Sequence, residues 1–229
     1  MKKKIVTVIA VLVLIIGALI FLYPRICQWF FDQQVSDYVD QFEEDIKGSE
    51  NDPLLEELYQ KLLAENKRLH EEGQKALKDP FSYETPGIDL TVYGLSDNSI
   101  GYVVIPKINE SLPIYLGANE ENMKKGAVHL TETSYPIGGV NTNCVLAAHR
   151  GYYKAAMFKD IDKIEIGDEV FIKNFRETLR YKVMETKIIM PDESDQIMIQ
   201  EGRDMVTLLS CHPYGYNRQR YLVYCERDE

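Results

Sequence analysis

The first pattern along the chain is an unbroken apolar block. Residues 5–23 read IVTVIAVLVLIIGALIFLY, 19 positions without a charge. As an α-helix this block reaches about 28 Å, close to the hydrocarbon thickness of a bilayer. A cleaved signal peptide has a shorter apolar region ending in small residues. Here the block ends in Tyr23-Pro24-Arg25 with Trp29 just beyond, the composition of an interfacial belt. Lys2, Lys3 and Lys4 precede it, so the positive-inside rule keeps the short N-terminus in the cytoplasm and puts everything from about Pro24 outside. The block reads as one uncleaved signal anchor.

Helical periodicity follows. Phe31, Val35, Tyr38 and Phe42 recur at helical spacing among Asp, Gln and Glu, until Gly48-Ser49-Glu50-Asn51 breaks the pattern. Asp52-Pro53 reads as an N-cap followed by proline in the first turn. The second helix is predicted to carry Leu54, Leu55, Leu58, Leu62 and Leu69 on one face and to stop near Asp79-Pro80. Acidic and poor in β-branched residues, this region reads as a helical stalk or appendage packed on something else.

From about residue 86 the pattern turns to strands. Residues 101–106, 112–115, 143–148, 169–173, 178–190, 205–210 and 220–225 are short, β-branched and aromatic-rich, separated by Gly, Asn, Asp and Pro. Two short helical patches interrupt them, around residues 120–125 and 155–162. Many short strands within about 145 residues predict a mainly β fold, a closed or nearly closed barrel.

Composition narrows the function classes. Lys and Arg number 26 against 36 Asp and Glu, a net charge of 26 − 36 = −10. Nucleic-acid binding needs a basic footprint to displace counterions, so that partner is disfavoured. The four cysteines, Cys27, Cys144, Cys211 and Cys225, form no C-x-x-C or Cys/His cluster of zinc spacing, so no structural metal is expected. Four in a chain this long are not a disulfide framework. Cys144 and Cys225 read as buried strand residues. Cys27, at the membrane boundary, is either inert or lipid-modified.

Cys211 is different. An apolar strand ends on it, the chain turns through Pro213-Tyr214-Gly215, and a second strand begins at Arg220. A thiol at a strand end opening into a loop is placed for attack. The strand of residues 143–148 likewise ends on His149-Arg150-Gly151. If the fold brings His149 to Cys211, the imidazole can activate the thiol and later protonate a leaving amine. Arg220 can then place a fixed positive charge near the developing oxyanion. Taken singly, each residue has an ordinary structural reading: a packed thiol, a turn histidine, a solvated arginine. The combination is what favours chemistry.

These residues resemble a known family. TLLSC at 207–211, Arg220 nine residues after the cysteine and His149 upstream look like the signature of sortases, membrane-anchored cysteine transpeptidases of Gram-positive bacteria. GYVVIPKI at 101–108, LPIY at 112–115, Gly138-Gly139, AHRG at 148–151 and Gly167-Asp168 also match the pattern. The chain is most similar to the class C, pilin-polymerising branch, whose cysteine loop commonly reads Cys-x-Pro-Tyr-Gly-x-Asn, as residues 211–217 do.

The resemblance implies an eight-stranded β-barrel, Cys211 as nucleophile, His149 as general acid/base, Arg220 as oxyanion or substrate stabiliser, and no cofactor. It implies that a secreted protein with an LPxTG-like motif is cleaved between Thr and Gly. The resulting acyl thioester is resolved by a pilin lysine or by the amine of a cell-wall precursor. It also implies that Asp79-Pro80-Phe81 is a lid, with Asp79 reaching Arg220 and Phe81 lying over Cys211, although Asp-Pro is also an ordinary helix stop.

Ser210 stands where the family usually has Thr, which keeps the hydroxyl. His212 adjoins the nucleophile but points to the opposite strand face, His129 matches a family position other than the catalytic one, and His70 lies in a helix. Residues 226–229 form no second span of the kind class C enzymes often carry, which keeps a housekeeping or minor-pilin anchoring role open. A cysteine peptidase using water as acceptor, and a membrane-tethered scaffold module, are the alternatives. The expected organisation is a cytoplasmic tail and transmembrane anchor over residues 1–25, a helical juxtamembrane region ending in the lid over 26–85, and a catalytic barrel over 86–229.

Overall fold

The computed structural model describes residues 2–49, 52–75, 77, 87–95, 98–152 and 155–228. The anchor and the first helical pattern form one continuous helix, α1 (Lys2–Asp45). It runs through Pro24, which costs one backbone hydrogen bond but does not end a segment rich in helix formers on both sides. Its apolar residues up to Leu22 are exposed to their surroundings, with Leu14, Ile20 and Phe21 each at least 70% accessible. By length and composition this helix can cross a membrane.

The far half of α1 packs on the β domain. The Tyr38 hydroxyl donates to Ser99 Oγ at 2.8 Å and to the Gly101 carbonyl at 3.1 Å, and Phe42 meets Tyr102 edge to face. The Ala156 N–H donates to Gln28 Oε1 at 2.6 Å. Helix α2 (Pro53–Glu72) opens on Asp52, whose side chain accepts from the Leu54 N–H, and is closed by Gly73 at φ 76°. It therefore stops well before Asp79-Pro80. Its buried stripe is Leu55, Leu58, Leu62, Asn66 and Leu69, while Leu54 is exposed. Asn66 belongs there because its amide is paired: Oδ1 accepts from the Tyr135 N–H at 2.7 Å, and Nδ2 donates to the Tyr135 carbonyl at 3.4 Å.

The strands are β1 (Ser99–Ile105), β2 (Glu110–Leu116), β3 (Ala127–His129), β4 (Thr142–Ala147), β5 (Arg150–Tyr152), β6 (Ala155–Met157), β7 (Glu169–Asn174), β8 (Thr178–Ile189), β9 (Asp204–His212) and β10 (Gln219–Arg227), with helix α3 (Glu120–Lys125) between β2 and β3. Eight strands close a barrel in the order β1-β2-β3-β4-β9-β10-β8-β7, and β5 and β6 pair separately as a small hairpin. The mainly β, eight-stranded expectation holds. The second helical patch differs: it begins as β6 and continues as a 3-10 turn over Phe158–Lys163, with Met157 at φ 48° marking the change of direction.

Strands β4 and β9 lie parallel, with Ala147 opposite Leu209, and β9 and β10 lie antiparallel. Both faces of this trio are covered. Cys144, Leu146, Val206, Leu208, Val223 and Cys225 belong to the larger apolar cluster. Val145, Ala147, Met205, Leu209, Leu222 and Tyr224 belong to a second, smaller one. Because side chains alternate along a strand, residue parity now assigns each position in these strands to one face.

Candidate active site

That parity brings together two of the three sequence-predicted residues. Cys211 lies two positions beyond Leu209 and Arg220 two positions before Leu222, so both continue the face of the smaller cluster, while His149 follows the end of β4 by two residues. Cys211 and Arg220 are direct cross-strand partners. The β4–β9 ladder continues past the strand end through the Ala148 N–H to the Leu209 carbonyl at 3.2 Å. Ser210, on the other face, donates its hydroxyl to the Ala148 carbonyl at 2.8 Å. The hydroxyl shared by Ser and Thr is thus in use, holding the two strand ends together.

Cys211 is 6% exposed and carries a reduced thiol, as do Cys27, Cys144 and Cys225. Burial drives the Cys144 and Cys225 thiols well up, the Asp204 carboxylate adding to the effect at Cys144, so neither supplies a thiolate near neutral pH. Arg220 is buried, and its Nη1 donates to the Gln219 carbonyl at 3.0 Å and the Asn217 carbonyl at 3.3 Å. These contacts fix one corner of the guanidinium and leave its charge beside the thiol's strand. The His149 ring stacks on Tyr152 with centroids 5.3 Å apart and planes 13° apart. Burial, then the nearby Lys124 ammonium, hold its pKa below the ordinary imidazole value. A neutral His149 at pH 7 can take a proton from a thiol or an amine.

The other histidines are accounted for. His129 is buried, stacks on Tyr135 at 4.8 Å, and places Nε2 3.1 Å from both the Thr133 and Ser134 carbonyls. Burial pushes its pKa down to about 4. In the unfolded chain the group titrates near its ordinary value of 6.5, so the fold is penalised as pH falls from there toward 4. Linkage makes this a loss of about 3 kcal/mol, complete below the folded pKa and absent above the unfolded one. Denaturant unfolding at pH 7 and pH 4 should show a steeper acid loss for the native chain than for His129→Asn. Equal slopes would refute the assignment. His70 lies in the last turn of α2.

His212 faces away from Cys211, as alternation predicts, and takes part in a contact that sequence reasoning missed. Its Nδ1 lies 2.8 Å from Arg150 Nη1. The cysteine loop also leans on the β5–β6 hairpin: a Cβ added at Gly151, where φ is 80°, would meet the Tyr214 ring at 2.9 Å. The Asp79-Pro80-Phe81 segment lies outside the described residues. Among the described residues no three His, Cys, Asp or Glu side chains converge to hold a metal ion.

A thiol directly opposite a buried guanidinium, with an imidazole of depressed pKa just beyond the end of the adjacent strand, can perform acyl transfer through a thioester. Comparison with known proteins narrows this. The sortase domain model matches residues 103–228. Sortase D of Bacillus subtilis strain 168 is 30% identical over 130 residues, which cover 56% of this chain and 63% of that relative, just under two thirds of its length. The structure of Streptococcus pneumoniae sortase C, reported with insights into pilin substrate specificity, superposes with a TM-score of 0.68 at 32% identity, covering 84% of this chain and 97% of that one. A lid mutant of Streptococcus agalactiae sortase C1 gives a TM-score of 0.73 at 31% identity, covering 83% of this chain and 97% of that one. The chain therefore belongs to the sortase family of transpeptidases, and its structural neighbours are class C sortases.

Proposed function

We propose that this chain is a membrane-anchored transpeptidase that cleaves an LPxTG-like sorting motif and passes the acyl group to a pilin lysine. The observation that carries the reading is the direct pairing of Cys211 with Arg220, with His149 two residues beyond the end of β4, the strand parallel to β9. In this scheme His149 accepts the Cys211 proton and the sulfur attacks the threonine carbonyl. Arg220 balances the charge on the carbonyl oxygen, and the glycine amine leaves with the proton from His149. The acceptor amine then attacks the thioester, loses its proton to His149, and the thiol is regenerated. A thioester keeps the acyl group reactive toward amines, so no nucleotide or cofactor is required.

The site lies beyond a helix able to span a bilayer, which supports a single-pass protein with its catalytic domain outside the cell. The proposed division is anchor over 1–25, juxtamembrane helices over 26–85 and catalytic barrel over 86–229. The resemblance of Asp79-Pro80-Phe81 to the class C motif, and the existence of a lid in S. agalactiae sortase C1, support a lid there.

The test is mass spectrometry of the full chain in detergent, mixed with an LPxTG-type peptide and either a pilin-derived lysine peptide or a cell-wall-type amine. An acyl adduct on Cys211 that transfers to the lysine peptide supports the proposal. Transfer only to the wall-type amine replaces polymerisation by anchoring, and release only to water replaces transpeptidase by peptidase. The Asp79→Ala/Phe81→Ala variant is run in parallel, so that an occluded thiol is not mistaken for an inert one. No adduct in either form would overturn the reading.

A further inference from the structure

The Arg150 side chain is 4% exposed, and neither the acyl-transfer scheme nor the sequence motifs give it a task. Each side of its guanidinium is engaged. Nη2 pairs with Asp162 Oδ2 at 2.5 Å, and Nη1 lies 2.8 Å from His212 Nδ1 and 3.5 Å from the Cys211 carbonyl. Nε donates to the Lys159 carbonyl at 3.4 Å, and Cζ lies 5.8 Å from the centre of the Tyr221 ring. A guanidinium can only donate, so His212 Nδ1 must be its unprotonated nitrogen. Burial and the Arg150 charge favour that neutral state, against the opposing pull of Asp162.

The place of these contacts gives them meaning. The ladder between β4 and β9 pairs Ala147 with Leu209 and ends at the Ala148 N–H. His149 and Cys211 both come after it, His149 beyond the end of β4 and Cys211 next to last in β9, where it pairs with Arg220. Arg150 follows His149 directly and reaches the carbonyl of Cys211 and the side chain of the residue after it. His212 and Tyr221 have the parity of Ser210 and Val223, the face opposite the Cys211 thiol. The guanidinium thus grips the strand end from behind while the thiol faces substrate. Asp162, from the 3-10 turn at Phe158–Lys163, holds the guanidinium's other side.

We propose that Arg150 is a positioning residue for the acyl-transfer chemistry, fixing the strand end that carries Cys211 to the strand end that carries His149, with His212 and Asp162 as its anchors. The proposal rests on the reading of Cys211 and His149 as the reacting pair. A lysine could keep the charge and one bond but not a planar fork reaching Asp162 and His212 at once. Misplacing reacting groups by about 1 Å is enough to cost on the order of 100-fold in rate, and the loss should fall on kcat because Arg150 does not itself touch substrate.

The experiment measures kcat and KM for transfer from an LPxTG-type peptide to a lysine peptide, using the full chain in detergent with thermal unfolding alongside. Arg150→Lys should lower kcat by roughly 10- to 100-fold with KM within about twofold. The deciding comparison is His212→Ala against His212→Asn. Alanine removes the acceptor for Arg150 and should cost about tenfold in kcat, whereas the asparagine Oδ1 can stand where Nδ1 stood and should restore most of the rate. Equal rates for the two His212 variants, at equal melting temperatures, would overturn the proposal even if Arg150→Lys failed to fold. So would an Arg150→Lys kcat within twofold of the native value. Cys211→Ala separates the two levels: if it turns over, the reacting pair itself is wrong. If it is dead while the His212 variants are equal, only the role of Arg150 falls.

Discussion

Cys211→Ala is expected to lower acyl transfer by at least about 10⁴-fold, to the background of the uncatalysed reaction. The substitution deletes one sulfur atom from a side chain that is 6% exposed. The fold should lose about 1 kcal/mol, a fall in melting temperature of only ~2–4 °C for a chain of this size. That contrast is the point of the experiment, because it separates chemistry from packing. Cys144→Ala and Cys225→Ala serve as controls. Both thiols are fully buried and held in the protonated state, so these variants should lose stability and keep turnover. His149→Ala should cost nearly as much rate as Cys211→Ala. Combining the two should cost almost nothing more, since residues that act in one step are strongly non-additive. A membrane-tethered scaffold predicts the opposite, a Cys211→Ala chain that keeps its cellular phenotype. Retained turnover in a folded Cys211→Ala protein would end the thiol mechanism. Additive losses in the double variant would end the pairing of Cys211 with His149.

How far the sequence reaches can be read from the same residues. Cys211 and Arg220 were legible because they belong to one hairpin, and a hairpin's register follows from local alternation and turn length. Bringing His149 toward them depends on β4 lying parallel to β9, a pairing between strands about 60 residues apart that no local pattern encodes. The family resemblance, not periodicity, supplied that link. Strand β3 escaped notice for a related reason: three residues, Ala127–His129, are too short to show a period. They are a strand only because β2 and β4 flank them. Asn66 replaced Leu54 in the buried stripe of α2 because its amide is satisfied by the backbone of Tyr135, a partner 69 positions away. Arg150 was read only as part of a motif. An arginine is ordinarily exposed unless paired, and its anchors at Asp162 and His212 become visible only in three dimensions.

Gly101→Ala is expected to be the most damaging single-methyl change in the barrel. Gly101 has a φ of 152°, and a Cβ built there would lie 1.9 Å from the Lys173 carbonyl oxygen and 2.9 Å from the Asn174 Cα. Both are backbone atoms of β7, so no side chain can swing aside and the strands themselves must part. The strands concerned are β1 and β7, first and last in the barrel order, and their pairing closes the cylinder. Gly101 also opposes Asn174, and its carbonyl accepts the Tyr38 hydroxyl that docks α1. Separating β1 from β7 would thus loosen the barrel seam and the seat of the juxtamembrane helix together. A loss of about 3–5 kcal/mol is expected, a large share of the ~5–15 kcal/mol that stabilises a typical domain. It should appear as a fall in melting temperature of ~10 °C or more, or as failure to accumulate as folded protein. Gly167→Ala isolates the cause: Gly167 also sits at positive φ, 93°, but nothing lies within 4 Å of its added Cβ. It should pay only the conformational strain, about 1 kcal/mol. If the two variants melt together, steric closure at the seam is not what Gly101 provides. If Gly101→Ala alone collapses, the close backbone approach of β1 to Lys173, too tight for any Cβ, is a requirement of barrel closure, independent of the chemistry at Cys211.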